Sequence, residues 1–128
     1  METEVIGDES GKASALKMCF AANTKGSTAL LTAVVATAEA LGVRDDLERQ
    51  WSRYNPDFVG ETHERLQRVT QKAWRFAGEM EEIAATFEGA GLPDGFHLAA
   101  HDVYERLAFL KGREDLPELM EVLRALLR

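Results

Sequence analysis

The chain has 128 residues and 14.2 kDa, enough for one domain that buries roughly two thirds of its unfolded surface. A hydrophobic share of 45% and a charged share of 29% are those of a folded globular protein rather than a disordered one. A net charge of −7 argues against nucleic acid as partner, and one cysteine, Cys19, excludes an internal disulfide and any multi-cysteine zinc site.

That single cysteine fits a reducing, cytoplasmic setting. Residues 1–11 are acidic and polar, unlike a secretory signal. The longest uncharged apolar run, residues 26–38, is thirteen residues bounded by Lys25 and Glu39, where a membrane span needs about 20. It reads as a core helix, with no membrane partner.

In chain order, a turn at residues 7–11 leads into a first helix reaching about Leu41, where Gly42 offers a left-handed cap. Residues 3–7 are a short piece compatible with extended backbone. The first helix is apolar nearly all round, so it should be wrapped by other helices or by another subunit. Asp45 and Glu48 have the spacing of a capping box for a short helix ending near Tyr54.

Asn55-Pro56 then supplies a stop and a restart. Over residues 58–87, apolar positions at Leu66, Val69, Ala73, Phe76, Met80, Ile83 and Phe87 recur at three and four, predicting two helices divided near Gly60 or Gly78. Residues 89–93 form a loop, and residues 94–110 a helix closed by Lys111-Gly112. The last helix is expected from a capping box at Asp115 and Glu118, with Leu116, Leu119, Met120, Leu123, Leu126 and Leu127 on one face. No segment alternates as a strand does, so the fold class is all-α: a helical bundle around one long apolar first helix.

Within that helix Ser14, Lys17, Ala21, Thr24 and Thr28 share a face at offsets of three and four. A lysine set between Leu16 and Met18 invites a chemical role, because a desolvated ammonium readily becomes a proton acceptor. A lysine that snorkels to solvent from the helix start is the plainer reading. His97 and His101 have the i, i+4 spacing of a two-histidine metal pair, but no third ligand is evident, and no metal is expected. Lys72, Trp74 and Arg75 make a basic-aromatic cluster in which Arg75 could fork a carboxylate.

Three segments carry a resemblance: GKASALKMCFAANTKG at 11–26, WRFAGEMEEIA at 74–84 and GLPDGF at 91–96. Together they resemble the helical C-terminal domain of the 6-phosphogluconate dehydrogenase and 3-hydroxyisobutyrate dehydrogenase superfamily. More narrowly they are similar to a phosphogluconate-dehydrogenase-like branch whose C-terminal domain was catalogued as one of unknown function. The resemblance implies that Lys17, led by Gly11 and followed by Gly26, is the acid–base residue of a hydroxy-acid dehydrogenase. It would take the hydroxyl proton while hydride leaves for NAD or NADP.

The departures from the superfamily pattern bear on substrate. The usual asparagine four positions after the lysine is Ala21 here, and the histidine and acid of decarboxylating enzymes are replaced by Phe20 and Thr24. Decarboxylation of 6-phosphogluconate is therefore not expected. A later lysine-aspartate pair becomes Gly78 and Glu79. Ser14, Ala21, Thr24, Arg75, Glu79, Glu82 and His97 are the candidate substrate-binding positions, with Glu79 and Glu82 able to orient Lys17.

No glycine-rich strand–turn–helix unit occurs in the sequence, so the resemblance implies that a Rossmann domain, in cis or in trans, holds NAD or NADP. It further implies a small hydroxy-acid substrate and a homodimer, the isolated chain being inactive. The competing expectation is a non-enzymatic helical oligomerisation module that has lost the chemistry.

Overall fold

The computed structural model describes residues 9–128. Among them it contains six α-helices and no strand: α1 (Glu9–Ala40), α2 (Arg44–Tyr54), α3 (Phe58–Val69), α4 (Ala73–Gly89), α5 (Gly95–Leu107) and α6 (Leu119–Leu127), with a 3-10 turn at Ala108–Leu110. The all-α expectation holds. The expectation of extended backbone at residues 3–7 lies outside the described residues, and the turn expected at residues 7–11 is already helical from Glu9.

At 32 residues, α1 extends roughly 48 Å. It ends in a Schellman cap: Gly42 adopts φ 74°, its N–H donates to the Glu39 carbonyl, and the Val43 N–H donates to Ala38 O at 2.9 Å. The α4–α5 hairpin closes in the same way at Gly91, φ 88°, with the Leu92 N–H on Phe87 O. These two helices make the most extensive packing in the molecule, and α1 and α6 lie across them.

Leu66, Met80, Ile83, Tyr104, Leu107, Leu110, Val122 and Leu123 are fully buried and form the centre of the core. In α1 the buried residues of the core begin at Ala22 and continue with Ala29, Val35 and Ala36, while Met18 and Ala21 pack against its edge. No residue between positions 9 and 21 is buried, and Leu16 and Phe20 stand exposed. The wrapping expected along the whole helix is thus supplied by this chain only from about Met18 onward.

Three local expectations need correction. The division within residues 58–87 falls at residues 70–72, not at Gly60 or Gly78, which both sit inside helices. There Thr70 is buried, its hydroxyl donating to Gln67 O at 2.7 Å, while Gln71 donates to Leu110 O and accepts from the Arg113 N–H. Side-chain bonds of this kind compete with helix propagation.

Neither capping box forms. Residue 43 precedes α2, while Glu48 is drawn to Arg44 (3.0 Å) and His63 (2.7 Å). The last helix starts only after Glu118, which is extended at ψ 156°, and the carbonyl of the buried Pro117 before it accepts from Gln67 Nε2 at 3.0 Å. Leu123 and Leu126 are buried as expected, with Val122 and Ala125 beside them, but Leu116 and Leu127 remain exposed.

Candidate functional site

The polar face of α1 leads into a cleft between α1, α3 and α4. Thr28 is buried at its base, its hydroxyl donating to Thr24 O at 3.0 Å. Arg65, from α3, donates through Nε to Thr28 Oγ1 at 2.7 Å and reaches Thr24 O through Nη2 at 3.4 Å. The cleft has a volume of about 380 Å3, and Phe76 forms part of its wall.

Beside this cleft, Lys25 Nζ pairs with Glu79 Oε1 at 2.5 Å and sits 4.3 Å from the centre of the Phe76 ring. Arg75 approaches the other oxygen of Glu79 at 3.7 Å and also lies over Phe76. The Lys25 carbonyl accepts a hydrogen bond from the Tyr104 hydroxyl at 2.5 Å. Burial drives the phenol of Tyr104 well above its ordinary value, Arg65 opposing and Glu79 adding to the effect. Tyr104 therefore stays a neutral donor that holds α1 against α5.

Of the residues singled out from sequence, Thr24, Arg75 and Glu79 meet in this region. Glu79 is taken by Lys25 rather than by Lys17. Lys17 and Ser14 are exposed on the same helix face, Lys17 about 10 Å along the axis from Thr24. The poorly hydrated ammonium anticipated between Leu16 and Met18 is thus solvent-facing in this chain. Ala21 is half-buried against the core, and Glu82 is exposed with its carbonyl accepting from Thr86.

His97 lies elsewhere. Its Nε2–H donates to Ala22 O at 3.0 Å, its ring meets Phe87 edge-on at 4.7 Å between centroids, and its Nδ1 is buried without a partner among the described residues. It lines an apolar groove of about 570 Å3 with Ala29, Leu30, Ala33, Phe96 and Val103. Gly26 lines this groove nine residues after Lys17, about half a turn round the helix, so the groove and the lysine are on opposite sides of α1.

His101 donates through Nδ1 to Ala77 O at 2.7 Å, which separates its role from that of His97. No group of three metal-ligating side chains occurs among the described residues. Trp74 is half-exposed under Lys111 rather than buried.

Lys25, Arg65 and Tyr104 were not among the candidate site positions expected from the sequence. Lys25 and Thr24 are adjacent in the segment that carries the resemblance, but nothing local shows that Lys25 turns toward α4. Arg65 had one available signal: Arg65, Arg68, Lys72 and Arg75 follow one another at three, four and three with no acid among them.

Residues 38–107 match the family described as Domain of unknown function (DUF1932), more than half of the chain. The chain belongs to the DUF1932 family. This domain is found in the C-terminal region of 6-phosphogluconate and 3-hydroxyisobutyrate dehydrogenase-like proteins. No curated protein matches the chain. The DUF1932 match spans α2 to α5 and with them Arg65, Phe76, Glu79 and Tyr104; Lys17 precedes it. Among the described residues no helix is long and apolar enough to cross a membrane.

Proposed function

We propose that this DUF1932 chain is the helical substrate-binding and dimerisation domain of an NAD(P)-dependent hydroxy-acid dehydrogenase, with Lys17 as its general acid/base. The observation that carries this reading is the continuity of one face of α1. Lys17, Thr24 and Thr28 line up on it, and it ends in the cleft held by Arg65 and flanked by the Lys25–Glu79 pair.

The described residues contain no strand, so they cannot form the glycine-rich strand–turn–helix unit that cradles a dinucleotide's phosphates. The described residues do not fit that cofactor by themselves; a Rossmann domain, in cis or in trans, would hold NAD or NADP and with it supply the hydride acceptor. Lys17 would accept the hydroxyl proton, and its exposed position leaves it open to cover by that companion domain. The absence of an acid at Thr24 leaves no group there to protonate an enediol, so oxidation without decarboxylation is the chemistry proposed.

A second copy of the chain would cover the apolar side of α1, where the half-buried Gly26 and Ala33 sit beside exposed Leu30 and Phe96. That groove, on the opposite side from Lys17, also favours the second reading: an oligomerisation module without chemistry.

The deciding experiment is Lys17→Ala in the assembly that carries the dinucleotide-binding domain, assayed with a panel of 2- and 3-hydroxy acids. Turnover falls by ~10²–10⁴-fold if Lys17 is the acid–base group, with folding unchanged because the side chain is exposed. Retention of more than about a tenth of the rate removes the role from Lys17.

A further inference from the structure

Four cations, Arg65, Arg68, Lys72 and Arg75, follow one another with no acid between Glu64 and Glu79, in a chain of 22 acidic and 15 basic residues. The first three line the α1–α3–α4 cleft, together with Thr28 and Phe76. Against the carboxylates of Glu61 and Glu64 these three cations leave the cleft with a net positive charge, which a bound anion neutralises.

Arg65 is already aimed. Its Nε and Nη2 are held by Thr28 and Thr24, so the planar guanidinium is oriented before any ligand arrives, while Nη1 has no partner among the described residues. A fixed fork loses little side-chain freedom on binding. The ammonium of Lys72 has no ion-pair partner among the described residues, and Arg68 meets Glu64 only at 3.7 Å with both side chains about two-thirds exposed. An exposed pair of that geometry is easily exchanged for a better one.

Glu61 and Glu64 line the cleft as well. They repel an extended polyanion such as nucleic acid, yet leave acceptors for the hydroxyl or amine of a substituted acid. A volume of about 380 Å3 suits a small molecule.

We propose that the α1–α3–α4 cleft binds the carboxylate or phosphate group of a small organic anion, with the oriented Nη1 of Arg65 as the anchor and Arg68 and Lys72 completing the charge. The site deepens the dehydrogenase reading, whose α1 face ends in this cleft, and rests on it in that respect; its test reads anion binding and not turnover, so the two can fail separately.

Calorimetric titration of the full chain at low salt with inorganic phosphate and with malonate tests it, alongside the Arg65 Nε resonance in NMR. Saturable one-to-one binding by either probe, with a shift of that resonance, is expected; whichever anion binds more tightly identifies the phosphate or the carboxylate as the natural group. Arg65→Gln should weaken binding about tenfold or more, the loss of one charge-assisted hydrogen-bonded contact. The double variant Arg68→Gln/Lys72→Gln, confined to exposed side chains and leaving the core untouched, should do the same, whereas Lys111→Gln outside the cleft should change nothing. No saturation by about 10 mM of either anion, or affinity indifferent to the double variant, overturns the proposal.

Discussion

A Cβ placed on Gly26 would come within 2.7 Å of His97 Nε2, the atom that donates to Ala22 O. The glycine therefore clears space for an imidazole wedged between α1 and α5. Gly26→Ala should destabilise the protein although alanine is the better helix former by about 1 kcal/mol. Displacing a packed ring costs about 1–3 kcal/mol, which outweighs that gain. In a His97→Ala background the obstacle is gone, so the same substitution should become neutral or stabilising. Urea denaturation of the four proteins in this cycle reads the change of sign directly; equal effects in both backgrounds would show that the close approach is harmless.

Tyr104 predicts an alkaline limit. Its phenol is raised above the ordinary value of 10.0 in the folded chain by burial, so the neutral form is the one folding favours. The stability this contributes is complete below the unfolded value and is lost as pH rises from about 10 toward the higher folded value. Tyr104→Phe should lose about 1 kcal/mol at neutral pH with the hydrogen bond to Lys25 O, and it should flatten the decline above pH 10. Thermal melts of both proteins from pH 7 to 11 check this; parallel curves would exclude Tyr104 as the source.

If the apolar side of α1 is where two copies meet, charge placed there should separate them. Leu30→Glu and Phe96→Glu both alter exposed side chains at the groove, 67% and 69% accessible, and should leave the helical content unchanged. Sedimentation at micromolar concentration should show the native chain as a dimer and the double variant as a monomer. A native chain that sediments as a monomer would leave the groove without the second copy proposed for it.

The elements were legible wherever a local cause set them. Gly42 and Gly91 ended their helices as glycine caps should, and the three-and-four recurrence placed Met80, Ile83, Leu123 and Leu126 inward correctly. What escaped were choices made by distant partners. The division at residues 70–72 contains no proline or glycine; it is fixed by Gln71 reaching Leu110 and Arg113. Glu48 matched a cap by spacing, yet Arg44 and His63 compete for it more strongly.

The cleft shows the same limit. Thr24 and Glu79 were recognisable as polar positions on helical faces, but the cation beside Glu79 is Lys25, whose turn toward α4 depends on the crossing of two helices. Lys17, by contrast, was singled out by its apolar neighbours in sequence. Those neighbours are themselves uncovered here, Leu16 at 72% and Phe20 at 70%, so apolar composition did not translate into burial.

The two sides of α1 are chemically unlike: threonines and a pinned guanidinium along one, alanines and a tucked imidazole along the other. A rod about 10 Å across keeps these surfaces from sharing side chains. The anion site and the subunit contact proposed for these two sides are consequently separable, each open to mutation without disturbing its counterpart.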